Sequence, residues 1–119
     1  MKRRSSALAI AVLCSGLSCS QGSEGEATAA AVPPAVAEGK QLYQVNCTAC
    51  HATDPNQNGA LGPAIAGSPE TLLEAKVLRN EYPPGYTPKR QSHAMVPLPQ
   101  LKDKIPALAA YLASVAKGS

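Results

Sequence analysis

The chain has 119 residues, of which 45% are hydrophobic but only 3% aromatic, all tyrosine, with no Phe and no Trp. A chain this short forms at most one modest domain, and one without large aromatics needs a supplementary core from disulfides, a metal or a large prosthetic group. The formal charge of +3 is carried by Lys2, Arg3 and Arg4; eight basic and eight acidic residues remain elsewhere, which excludes the clustered basic face of a nucleic-acid binder.

Residues 1–19 read as an export signal. Lys2–Arg4 form a charged start and Ala7–Leu17 a short apolar stretch, followed by the small and polar residues Ser18, Cys19, Ser20, Gln21 and Gly22. The apolar stretch is too short to span a bilayer as a helix and fits a secretory signal. Gly16-Leu17-Ser18-Cys19 resembles a bacterial lipoprotein cleavage box, with Leu two places before the cysteine rather than three. Cys19 is therefore the lipidation candidate, and bulky Leu13 makes Cys14 a poorer one. Residues 20–34, rich in Ser, Gly, Glu, Ala and Pro, cannot bury a core and read as a flexible linker. The competing expectation is ordinary cleavage near Ser20 or Ala29, which yields a soluble periplasmic protein. Cys14 and Cys19 lie in or beside the signal, which argues against a disulfide between them. The mature domain spans 35–119.

A first helix is predicted from Pro34 to about Val45, with Val36, Gly39, Leu42 and Tyr43 at helical spacing. It leads into Cys47-Thr48-Ala49-Cys50-His51, a C-x-x-C-H run of the kind that attaches c-type haem. The chemistry accounts for each position. Two thiols add across the two haem vinyl groups as thioethers, the two-residue gap lets both reach one edge of the ring, and the adjacent imidazole can then ligate iron. A thioredoxin-like pair would want a βαβ context, and no strand pattern precedes Cys47. A structural zinc site needs a fourth ligand and usually a second cysteine pair. A lone disulfide would leave His51 without a role.

Ala52–Gly67 is a turn-rich loop containing Asp54-Pro55-Asn56, Gly59 and Leu61-Gly62-Pro63. A second helix is expected to start at Ser68-Pro69-Glu70, with Ser68 as N-cap and Pro69 in the first helical position. Its apolar stripe is Leu72, Leu73, Val77 and Leu78, and Pro83-Pro84-Gly85 is expected to end it. A third helix is expected from about Asp103 to Ala116, capped by Asp103, with Pro106 in its first turn. Leu101, Ile105, Leu108, Leu112 and Val115 form its apolar face. No alternating strand pattern occurs, so the fold class is all-α.

The second axial ligand is expected downstream of the attachment motif. Met95 is the only methionine besides the initiator and sits in the proline-rich stretch Met95-Val96-Pro97-Leu98-Pro99. A thioether opposite imidazole favours reduced iron and raises the potential. His93 is the rival, and would give a bis-histidine site of lower potential.

Together these residues resemble the class I, mono-haem cytochromes c over about Ala35–Ala116. The resemblance implies a small cytochrome c fold, with three or more helices wrapped around one covalently attached haem c and its iron. Gly39 and Tyr43 resemble the family's crossing positions on the first helix, and Leu108-Ala109-Ala110-Tyr111-Leu112 the matching C-terminal helix. By the same resemblance the Pro63 carbonyl accepts a hydrogen bond from His51 Nδ1–H, and Met95 lies in the distal loop. Val96 intervenes before Pro97, where the family often has proline directly after the methionine. Tyr82, Tyr86, Lys89 and Arg90 are, by analogy, candidate contacts of the haem propionates.

The expected function is electron transfer without enzymatic turnover. With His51 and Met95 both on iron, no coordination site stays open for a substrate. Partners are expected to be redox proteins that dock briefly, with no nucleic acid, and with membrane attachment through a lipid anchor on Cys19 where cleavage occurs there. The location is expected to be outside the cytoplasm, in the periplasm. The alternative is a haem-based gas sensor with a displaceable distal ligand. A peroxidase would need acid/base groups on an open distal face, and His93 alone is thin support. A haem-free exported module, held by zinc or a disulfide, is the remaining rival.

Overall fold

The computed structural model describes residues 30–118, and among them the chain forms three α-helices, one 3₁₀ helix and no strand. The calls on the export signal, on Cys14 and on the lipidation candidate Cys19 lie outside the described residues. No helix among the described residues is long and apolar enough to cross a membrane.

Helix α1 spans Pro34–Asn46. Pro34 occupies the first helical position, where its fixed φ suits the helix and its missing N–H would have no partner anyway. The Pro33 carbonyl takes the first bonds, from Val36 N–H at 2.9 Å and Ala37 N–H at 3.1 Å. One turn apart on the buried face lie Gly39 and Tyr43.

Helix α2 spans Glu70–Arg79, with Leu72, Leu73, Ala75 and Val77 buried. Both of its predicted ends are corrected. The Pro69 carbonyl accepts the first helical bonds, from Leu72 and Leu73 N–H, so Pro69 is the N-cap and no side chain caps the helix. Ser68 sits one place outside it and is buried. The helix ends well before Pro83. Asn80 takes the left-handed conformation at φ 56° and turns the chain out of the helix. After Gly, asparagine is the residue most often found in that role.

The third helix also starts later than expected. Pro99–Lys104 form a 3₁₀ helix that contains Asp103, and helix α3 proper is Ile105–Ser114 with Lys104 as N-cap. Pro106 explains the break. It has no N–H to bond the carbonyl four residues earlier, so an α-helix cannot pass through it without losing that bond. The preceding turn tightens to 3₁₀ instead.

The core is Tyr43, Leu73, Val77, Leu101, Ile105, Leu108, Tyr111 and Leu112. Helix α1 lies directly on α3, and the rings of Tyr43 and Tyr111 meet at 5.6 Å between centroids, tilted by 51°. The long loop after α1 is fastened to the far end of α3. Asn56 Nδ2 donates to the Val115 carbonyl at 2.9 Å, and Gly67 N–H donates to Leu112 O at 2.8 Å. These ties leave one side of the core uncovered, and the candidate site lies there.

Candidate haem site

Helix α1 does not stop sharply. Cys47 N–H bonds Tyr43 O, and both Cys50 and His51 N–H fold back to Cys47 O, at 3.2 and 2.9 Å. The attachment motif is thus wound as one further turn. Positions i, i+3 and i+4 of such a turn share a face, so Cys47, Cys50 and His51 all border the same cleft. The two thiols are not joined in a disulfide. Burial, and then the neighbouring Cys50, push the Cys47 thiol up to about 11.

The histidine is held from behind. Its Nδ1 lies 2.8 Å from Pro63 O. A carbonyl can only accept, so Nδ1 carries the proton and Nε2 is the nitrogen left for a metal. Pro63 is set by the loop, in which Leu61 and Gly62 N–H both donate to Cys50 O, at 3.2 and 2.9 Å, and Gly59 N–H bonds Gly62 O at 2.9 Å. Gly62 lies flat against the imidazole. A Cβ there would come within 2.5 Å of Nδ1 and 2.9 Å of Nε2. Only a residue without a side chain lets the loop pass this close.

Across the cleft, Leu72, Leu73 and Val77 of α2 and Leu108 of α3 form an apolar wall, with Met95 and Leu98 from the segment before α3. The cleft holds about 1290 Å³ of space including its open mouth. Met95 is half-buried against the core, whereas His93 is exposed and is not among the residues that border the cleft.

Tyr82, Tyr86, Lys89 and Arg90 all border the cleft. Tyr82 and Tyr86 stack at 5.5 Å, and the Lys76 ammonium sits 4.1 Å over the Tyr82 ring. The Lys89 ammonium donates to the Ala64 carbonyl at 2.8 Å, so it ties this segment to the loop under His51. The charged residues along the cleft are Lys76, Lys89 and Arg90, with no carboxylate among them. Such a lining favours anionic groups on whatever fills the cleft.

Two residues of this region were missed in the sequence. Lys76 reads as an ordinary exposed lysine, and only the fold brings it to the cleft. Asn80 carried a usable signal, as an asparagine directly after the last charged residue of a helix.

The fit to a haem rests on these observations. The cleft is open and apolar, its cations suit propionates, two cysteines border one edge, and one imidazole nitrogen is free. Among the described residues, no group of three or more His, Cys, Asp or Glu side chains is arranged to hold a metal ion by itself. Fold and cleft thus define a small all-helical cradle for a flat, thiol-anchored prosthetic group.

A family model described as cytochrome c matches residues 36–116, and the chain belongs to that family. The family binds covalently attached haem c with its iron, and its members typically carry electrons between redox partner proteins. Searches among curated proteins and among solved structures gave no match.

Proposed function

We propose that this protein is an exported mono-haem electron carrier in which Cys47 and Cys50 hold the haem as thioethers and His51 and Met95 are the axial ligands. When bound, the haem supplies a one-electron iron couple. The protein side chains do the rest. Pro63 O holds the His51 ring through Nδ1, which fixes its orientation and makes Nε2 a stronger donor. The leucines and Val77 exclude water from the cleft. Lys76, Lys89 and Arg90 offset the propionate charge, and Lys89 also braces the loop beneath His51.

The observation that carries the choice of distal ligand is the position of the two candidates. Met95 borders the cleft and packs on the core, while His93 is exposed. With both axial positions filled by the protein, the site exchanges electrons and turns over no substrate. Partners are redox proteins that dock briefly, and the working location is the periplasm, with Cys19 as the membrane tether.

The test is the absorption spectrum of holoprotein made in a bacterium that matures c-type haem. A c-type spectrum with the weak red sulfur-to-iron charge-transfer band, unchanged by carbon monoxide after reduction, is expected. A spectrum without that band, or one that carbon monoxide alters, would overturn methionine ligation and favour a gas-binding protein. Mass spectrometry of the mature N-terminus tests the tether: a diacylglycerol on Cys19 is expected, and an unmodified terminus near Ser20 or Ala29 would refute it.

A further inference from the structure

Helix α2 ends in a turn whose carbonyls, like those of any helix end, need donors from elsewhere. Asn80 supplies part of the answer locally. It is the one non-glycine residue with positive φ among the described residues, and it folds its own N–H back to Lys76 O at 3.0 Å while Glu81 N–H reaches Ala75 O at 3.1 Å. The Val77 carbonyl is satisfied differently. Its donor is Leu98 N–H, at 2.6 Å, from the segment that carries Met95. The Asn80 side chain makes a second link to that segment. Its Nδ2 donates to His93 O at 3.3 Å, while its Oδ1 accepts from Lys76 Nζ at 2.6 Å.

The stretch 93–98 is therefore fastened to the same helix end on both sides of Met95, two residues before it and three residues after it. Between the anchors, Val96 is 72% exposed and contributes little packing of its own. The 3₁₀ helix follows at once from Pro99. Met95 itself packs on the core, and the ties at the two ends of the loop add to that contact.

We propose that Asn80 is a positioning residue for Met95. Its side-chain amide, in concert with the Val77 carbonyl, holds the loop closed and so sets how readily the thioether leaves the iron. The left-handed backbone at Asn80 aims the amide out of the helix toward His93, and Lys76 fixes which end of the amide faces the loop. This rests on the His51/Met95 ligation proposed above.

The experiment is an imidazole titration of the ferric holoprotein, followed by loss of the sulfur-to-iron charge-transfer band, because imidazole binds only where the loop has opened. Asn80→Asp retains the tolerance for positive φ and the acceptor for Lys76, but replaces the donor to His93 O with an oxygen. Asn80→Gly keeps the backbone and deletes both side-chain bonds. Both variants should bind imidazole about three- to tenfold more tightly than the parent, the factor for one lost hydrogen bond. Asn56→Ala, which loosens the far end of α3, should leave imidazole affinity unchanged at a comparable loss of global stability. Affinities of both Asn80 variants within about twofold of the parent would overturn the positioning role and leave the ligation intact. An equal rise in Asn56→Ala would reduce Asn80 to a general structural residue. A Met95→Ala spectrum identical to the parent's would overturn the ligation itself, and with it this proposal.

Discussion

Gly39 of α1 and Ala107 of α3 meet backbone to backbone. A Cβ built on Gly39 would collide with the Ala107 carbonyl oxygen and lie 2.7 Å from the Tyr111 Cβ. The two helices are therefore as close as their main chains allow, and this contact sets the distance at which Tyr43 and Tyr111 pack.

Gly39→Ala is expected to force the helices apart. Overpacking of this kind costs about 1–3 kcal/mol, offset in part by the better helix propensity of alanine, about 1 kcal/mol. The holoprotein should melt several degrees lower, and Gly39→Val lower still. Thermal denaturation of the three proteins checks this; Gly39→Ala and Gly39→Val proteins both as stable as the parent would refute the close crossing.

Gly62→Ala places a methyl group against the His51 ring and should break the bond from Nδ1 to Pro63 O. Supporting bonds of this kind are worth roughly 10–100-fold in metal affinity or activity. A less basic imidazole also stabilises ferric iron less, so the midpoint potential should rise. Voltammetry and the haem content of the purified variant test this. Unchanged values in both would show that the Pro63 contact does not tune the ligand.

Tyr43 is buried, and its hydroxyl donates to the half-buried Ala52 carbonyl at 2.5 Å. Burial pushes its phenol from 10.0 up to about 12. Because the folded value lies above the unfolded one, the stability gained is complete below pH 10 and is lost as the pH rises through about 12. Tyr43→Phe should cost about 1 kcal/mol at neutral pH through the lost hydrogen bond, and should flatten stability between those two pH values. Urea melts of both proteins across that range provide the check. Parallel curves would assign the alkaline loss to other groups.

At the acid end the group to watch is Asp54. Its carboxyl is held below the usual value by the Asn56 side chain, then by the Asn56 backbone N–H, both reaching Asp54 Oδ1 at 2.9 Å. The shift is downward, so its contribution is present above the ordinary aspartate range, about pH 4, and fades as the pH falls through the lowered value. Asn56→Ala removes the side-chain bond to Asp54, together with the ties to Val115 O and Lys117 N–H, and keeps the backbone one. It should destabilise the domain by about 1–2 kcal/mol at neutral pH and weaken its acid dependence. Equal acid midpoints in parent and variant would rule this out.

The haem is expected to be part of the core. Without it, Leu72, Leu73, Val77 and Leu108 would border an open cleft in a domain with no Phe or Trp to fill it. Cys47→Ser/Cys50→Ser protein, which cannot form thioethers, should show little helix by circular dichroism and no cooperative melt. Full native helicity in that variant would contradict this.

Much of this protein was legible in the sequence because the signals were local. The spacing of Cys47, Cys50 and His51 needs one turn of chain to become a shared face, and a two-residue gap encodes that turn by itself. The 3.6-residue periods of Leu72–Val77 and Ile105–Leu112 marked the core faces in the same way. Helix ends were less legible. Ser68, Pro83 and Asp103 all looked like boundaries, yet α2 ends at Arg79, capped by Asn80, and α3 begins at Ile105. A helix end is decided by which donors and acceptors lie near it in space, and those come from other segments.

The sequence by itself therefore determined the family, the haem and the all-α class, because a short motif and two periodic stripes carry that information within a few residues. Only the tertiary structure decided how the cleft is built. The crossing at Gly39 and the loop under His51 were legible through the family resemblance, but it took folding to bring Lys89 to Ala64 and the end of α2 to both sides of Met95. Those contacts join residues far apart in the chain, and no local pattern specifies them.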